Sequence, residues 1–446
     1  MHIVLKTTLI AAALGTALLS IDSSRADTPG KAVSEQRSVA AFKAIDLSGP
    51  YEVAVAAQGR PGLSLRGERQ QLDQVETFVR GDTLVVRPRS DKGFGFHFGK
   101  RRETVVIHIG APQLERLSMS GSGDVTLDQV SGERFSIQVD GPGDLDASGA
   151  VRELALRVSG SGDADLQRLR ASTVDLIMSG PGDVRLANLD GAMQAKLSGS
   201  GDLHADGLRL ARLDARLSGP GGMTLRGASR DVRLAVYGSG DVDACDLAAT
   251  TVSTRQSGPG NACIGGAVAQ LDAEVDGSGD LTMSGLAAGS ATLRLDGPGD
   301  ARLGGKVDTL NAQLTGSGDL DGSDLAVAKA ALASRGPGDI ALAEVSDTLE
   351  AELRGSGSLK AAIHGKRLLL TSNGPGGADI SGQVEMVYAR LSGSGTLDGN
   401  RLDADRADIA VSGPGSAKVH VARRAGAQGE NGLLVVNRSG SSHSPE

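Results

Sequence analysis

Tryptophan is absent from the 446 residues, and aromatics of every kind make up 2% of them. Platforms for stacking on sugar rings are therefore scarce, and any core must be built from aliphatic side chains. Cysteine occurs twice, and neither copy lies near the N-terminus. A bacterial lipid anchor thus has no attachment point there. After the first residues, no run reaches the ~20 apolar positions that a membrane-spanning helix needs. No helical period is sustained either, and glycine every few residues opposes one. The 46 basic and 54 acidic residues leave a thinly spread net charge of −8. That balance argues against nucleic acid as a partner.

What is present begins with an export signal. Residues 1–6 supply a short basic region, an apolar run extends from Thr8 to Ile21, and Ser24-Arg25-Ala26 has the small-x-small form of a cleavage site. Residues 1–26 read as a signal peptide and 27–40 as a linker. The expected location is the periplasm, the outer-membrane surface or the extracellular space, with no transmembrane span in the mature chain.

Glycine is abundant, with 64 copies. The tetrapeptide Gly121-Ser122-Gly123-Asp124 returns as Gly141-Pro142-Gly143-Asp144, then with Gly160, Gly162 and Asp163, then as Gly180-Pro181-Gly182-Asp183. There are sixteen copies by Gly413, and the residue between the glycines alternates Ser and Pro without exception. A fixed period near 20 residues signals a solenoid, which grows along one axis and whose core exists only through stacking. Between motifs, apolar and polar residues alternate, as at Leu203 and Ala205 and again at Leu213, Ala215 and Leu217. Period-two alternation means strand with one buried face. The expected fold is all-β: a parallel β-helix over 118–422 with about 16 rungs of 19–20 residues. Rungs at roughly 4.8 Å would give a rod of about 75 Å. An N-terminal β segment or cap occupies 41–117 and a polar tail 423–446. The motif itself fits a type II turn, with Ser or Pro second and a positive-φ glycine third.

The segment before the repeats has its own signature. Phe42 to Gly49 reads F-x-x-I-x-L-S-G, Val53 to Val55 reads V-x-V, and Gly81 to Val86 reads G-D-T-L-V-V. With the L-S-G-S-G-D repeats that follow, the chain from about Ala41 to Val421 resembles the head GIN-domain family, bacterial exported proteins described as putative autotransporter adhesins. The resemblance implies a right-handed β-helix and an envelope-associated role. The polar C-terminal stretch offers no amphipathic strands of about 10 residues for a translocating barrel.

Candidate chemistry is limited. Asp follows the second glycine in ten copies, among them Asp124, Asp144, Asp163 and Asp183. In register these carboxylates form a ladder that either holds cations or accepts backbone N–H bonds. Gly, Thr, Ser or Asn takes its place in other copies, which suits backbone bonding and no metal. The least repetitive stretch contains Phe94, Phe96 and Phe98, followed by Lys100, Arg101 and Arg102. It reads as an interaction loop or as a cover for the open end of the rod. Cys245 and Cys263 fall on consecutive rungs at offsets that place them diagonally, with Cα atoms near 8 Å in ideal register. A disulfide then requires a local shift. The histidines show no metal-ligand spacing, and no cofactor is expected. The expected function is non-catalytic: an exported envelope or surface protein, an adhesin or scaffold binding a protein or glycan through its faces. The alternatives are a polysaccharide-active β-helix enzyme and a purely structural spacer.

Overall fold

The computed structural model describes residues 32–89, 104–421, 432–437 and 440–443. The stretch read as a signal peptide lies outside these. The described chain is nearly all β, with one four-residue helix, α1 (Arg69–Leu72). It winds into a β-solenoid of about 15 turns. The expected sixteenth rung is partial: after Gly413 the parallel stack ends with the short strand Ser416–Val421.

One rung shows how the sequence makes the fold. In Leu145–Val158 the side chains of Leu145, Ala147, Val151, Leu154, Leu156 and Val158 are buried, while most of their neighbours face out. The next rung repeats the pattern in parallel register, with Leu154 beside Val174, Leu156 beside Leu176 and Val158 beside Met178. Like stacks on like, so the interior is one continuous hydrophobic cluster along the rod, aliphatic apart from Phe42, Tyr51 and Phe135 near its N-terminal end. Burying one such side chain is worth about 1.5–3 kcal/mol, but the burial exists only when a rung above and a rung below are in place.

The motif glycines are needed for a reason other than the expected one. The type II model requires positive φ at the second glycine, yet Gly123, Gly143, Gly162 and Gly182 all lie outside the left-handed region. Their constraint is the neighbouring rung. A Cβ on Gly143 would sit 2.1 Å from the Gly123 carbonyl oxygen, and one on Gly162 would sit 2.0 Å from that of Gly143. The first glycines are as tight, a Cβ on Gly160 meeting the Gly141 oxygen at 2.0 Å. Backbone therefore rests directly on backbone, and the N–H of Gly162 donates to the Gly141 carbonyl at 3.2 Å. The intervening residue behaves differently. It is exposed, and among the described residues its N–H makes no bond to an adjacent rung. That freedom is what lets Pro alternate with Ser. The left-handed corner lies elsewhere, eight residues past the motif's first glycine: Gly149 has φ 138° and Gly227 has φ 127°, while Gln129 and Asn188 take the same corner at 62° and 58°.

The N-terminal segment starts the stack. Its elements are β1 (Val33–Arg37), β2 (Ala44–Leu47), β3 (Glu52–Ala56), β4 (Gly62–Gly67), β5 (Val75–Arg80), β6 (Thr83–Pro88), β7 (Val106–Gly110), β8 (Arg116–Met119) and β9 (Val125–Val139). The parallel stack begins here, with β2 on β8, β3 on β9 and β8 on β9. Antiparallel pairs β1–β4, β4–β7 and β5–β6 flank it. The stretch read as a linker thus contributes a paired strand, β1. The stretch read as a polar tail does the same: Gly432–Asn437 runs antiparallel to Ser416–Val421, and Gly440–His443 runs antiparallel to Asp408–Val411. Buried Val436 shows why, since a Leu-Leu-Val-Val run can pair on an otherwise open edge.

Replacing Gly162 by Ala should destabilise the rod by at least the 1–3 kcal/mol or so typical of overpacking, because the atom in the way is backbone. Replacing Ser161 by Pro should stay within about 0.5 kcal/mol, as for other surface changes. Urea melts of both variants check the contrast; equal damage would contradict the stacked-backbone account.

Candidate functional site

The carboxylate ladder exists, and its hydrogen bonds define its role. Asp163 N–H donates to Asp144 Oδ1 at 2.8 Å, Asp183 N–H to Asp163 Oδ1 at 2.9 Å, and Asp202 N–H to Asp183 Oδ1 at 2.9 Å. Each side chain thus accepts from the equivalent backbone position one rung further on. The ladder also runs through its substitutions: Gly222 N–H donates to Asp202 Oδ1 at 2.7 Å, and Asn261 Oδ1 accepts from Asp280 N–H at 2.9 Å. One oxygen of each carboxylate is committed to holding rungs together. Arg185 lies 3.6 Å from Asp163 and 3.7 Å from Asp183, offsetting two of the stacked charges. Among the described residues, no cluster of three or more His, Cys, Asp or Glu side chains could hold a metal ion. Outside the ladder, Asp321 is pulled down to about 2, chiefly by hydrogen bonds from the Ser323 hydroxyl and backbone N–H, with Arg302 adding to them.

Cys245 and Cys263 are joined as a disulfide, with Cα atoms 5.1 Å apart. This is closer than the ~8 Å of ideal diagonal register. Cys263 pairs in register with Asp243, but Cys245 lies just past the strand Val242–Ala244, where the chain turns. The turn replaces two further residues of strand extension and brings the sulfurs together.

The loop with Phe94, Phe96, Phe98, Lys100, Arg101 and Arg102 lies outside the described residues. Two shallow grooves lie at the N-terminal end. One, of about 1280 Å³, passes over β8, β9 and the following rungs. Its charges neutralise each other: Lys43 with Glu115 at 2.8 Å, Arg134 with Glu153 at 2.8 Å and Arg152 with Glu133 at 3.0 Å. The Glu115 hydrogen bond also holds Lys43 above its ordinary range. The other, of about 730 Å³, contains Arg37, His108 and Asp128. Arg37 is occupied there by the Leu72 and Val75 carbonyls, Thr77 and Glu35. Among the other described residues, His204, His364 and His420 are on different rungs.

Outside the motif, the rungs offer straight columns of side chains. On the sheet leading into each motif, Arg157, Ile177, Lys196, Arg216, Ala235 and Arg255 follow one another in register. Tyr237 stands beside this column, with the Arg216 guanidinium 4.6 Å from its ring centre. The sequence analysis singled out none of these residues. Their alignment becomes visible only when rungs are superposed.

The family model described as "Putative auto-transporter adhesin, head GIN domain" matches four overlapping stretches, 41–207, 188–287, 270–362 and 343–432. Among solved structures, a putative adhesin from Bacteroides fragilis is 22% identical and similar over 51% of this chain and 97% of its own, with a TM-score of 0.38. A putative adhesin from Parabacteroides distasonis is 13% identical, with 83% and 97% covered and a TM-score of 0.31. A putative lipid binding protein from the same organism is 15% identical, with 84% and 97% covered and a TM-score of 0.23. No curated protein matches the chain.

Changing Asp163 to Ala removes the acceptor for Asp183 N–H and should cost about 1 kcal/mol. Changing it to Asn should be close to neutral, because Asn261 already fills that role. Millimolar calcium should leave the Tm of the unmodified chain where it is. A calcium-dependent rise abolished by Asp163→Asn would show that cations occupy the ladder. Separately, Cys245→Ser should lower stability by up to ~3 kcal/mol, the loop-closure value for a loop of this size. A reducing agent should lower the Tm of the parent but not of this variant.

Proposed function

The chain belongs to the family described as "Putative auto-transporter adhesin, head GIN domain", and on that premise we propose that it is a non-catalytic exported protein of the envelope or cell surface. It binds an envelope or surface ligand, protein or glycan, through the outward faces of the solenoid. The observation that carries this reading is the stacking. Parallel register fixes outward side chains in straight columns on a rigid sheet, so a long ligand meets the same geometry rung after rung. A rigid array of this kind loses little entropy on binding.

Export fits the Cys245–Cys263 bridge, because disulfides persist in oxidising compartments such as the periplasm and the cell exterior. It fits the N-terminal signal pattern as well. The described residues contain no helix long and apolar enough to cross a membrane. In the proposed arrangement the rod is held at the envelope by contacts with its ligand.

The purified chain should bind isolated cell envelopes saturably and should release no reducing ends from envelope polysaccharide. Co-sedimentation over a concentration series, with a reducing-sugar assay on the supernatant, measures both. Linear, non-saturating sedimentation would fit an inert spacer, and released reducing ends would fit an enzyme.

A further inference from the structure

The column on the sheet leading into the motifs has a property that neither groove shares. From Arg157 to Arg255 it contains Arg157, Lys196, Arg216 and Arg255, separated by Ile177 and Ala235, and no carboxylate. Arg233 is exposed on the same sheet, two residues before Ala235. Among the described residues, Arg157, Lys196, Arg216 and Arg233 have no carboxylate within ion-pair distance, whereas Arg134, Arg168, Arg302 and Arg401 each have one. The stripe has defined ends. Toward the C-terminus, Arg255 is 2.8 Å from Glu274, which is the next member of the column, and Arg294 beyond it faces Asp272 at 3.9 Å. Toward the N-terminus the equivalent of Arg157 is the neutral Gln138. Four unpaired cations therefore lie along roughly 20 Å of the rod at the ladder spacing, on a protein whose net charge is −8.

We propose that this stripe is a binding site for a linear acidic polysaccharide, a uronate-type chain lying along the rod axis. The inference rests on the surface-binding reading above and names its ligand class. The charge is local and positive, so the ligand is a polyanion. The stripe is straight; the outward residues on one flank are small, among them Ser159, Ser179, Ser198 and Ser218, and the other flank carries Asp175, Gln194, Asp214 and Arg233, with Asp214 3.6 Å from Arg212. An extended chain with its carboxylates on one side fits such a surface. A nucleic-acid duplex calls for phosphate contacts spread over a wider, curved footprint. The rung repeat is close to the length of one pyranose unit, so successive sugars can meet successive rungs. Arg216 and Tyr237 add a guanidinium–aromatic pair midway along the stripe, the kind of surface that packs against a sugar's C–H face while the cation meets its carboxylate.

Polygalacturonate is the probe, with dextran as the neutral polymer and duplex DNA as the non-sugar polyanion. The purified chain should bind polygalacturonate in a salt-sensitive way, dextran not at all and DNA more weakly. The combined variant Arg157→Gln, Lys196→Gln, Arg216→Gln and Arg233→Gln should lose about tenfold or more in affinity. A variant with the same charge change at paired arginines, Arg134→Gln, Arg152→Gln, Arg302→Gln and Arg401→Gln, should lose less than about twofold. Circular dichroism and Tm establish that both variants fold, and the double variant Arg157→Gln, Lys196→Gln serves if the fourfold one does not. No binding to polygalacturonate, equal binding to dextran, tighter binding to DNA, or equal losses in the two variants would overturn the proposal. Envelope binding retained by the stripe variant would overturn it as well while leaving the surface-binding function standing; loss of envelope binding by the unmodified chain would remove that function itself.

Discussion

Direct contact of backbone on backbone at the G-[SP]-G corner sets the terms for the rest of the molecule. A Cβ there would lie about 2 Å from the carbonyl oxygen of the rung before, so the rungs can approach only where both glycines are kept. Once they approach, the ladder bonds of the flanking strands fall into register and the inward aliphatic residues close over one another. The Asp that follows adds a side-chain tie at the same corner, its Oδ1 taking the next rung's N–H. A residue that reads as turn chemistry thus acts between turns.

The same constraint explains what varies freely. The residue between the two glycines is exposed and its N–H serves no neighbour, so Ser and Pro alternate without disturbing the stack. Gly, Asn and Ser replace the ladder Asp in some rungs because its bond is one of many, and the backbone bonds around it remain. Substituting either glycine has no such alternative. A regular interior leaves the outward positions as the place where rungs can differ from one another, and the cationic stripe is one such difference.

The ends depart from the repeat for a related reason. A solenoid exposes unpaired strand edges at both ends, which invite pairing with other chains. Antiparallel strands meet this at each end: β1, β4 and β7 flank the first coils, and Gly432–Asn437 with Gly440–His443 lie against the last. These pairings were not legible as such. Residues 27–40 read as a linker and 423–446 as a polar tail: the strand Val33–Arg37 is short and mostly polar, and the Leu-Leu-Val-Val run is too short to show by itself which edge it pairs with.

The sequence by itself determined the class of fold, the rung length and the identity of the inward residues, because period-two alternation and a fixed repeat are local properties that any one rung displays. It also marked the corner glycines as indispensable, though for the wrong reason. Positive φ is a property of one residue and was the natural guess at Gly143 or Gly162; the real cause is a carbonyl some twenty residues earlier, and it appears only when one rung rests on another. The left-handed corner at Gly149 and Gly227 was missed because Gln129 and Asn188 also occupy it, leaving no uniform sequence mark. Tertiary structure alone decided that Cys245 turns toward Cys263, and that Arg157, Lys196 and Arg216, spread over sixty residues, stand in one line. Stacking converts a sequence interval of 19 or 20 residues into about 4.8 Å, and that conversion gathers distant side chains into a surface that no stretch of the chain contains.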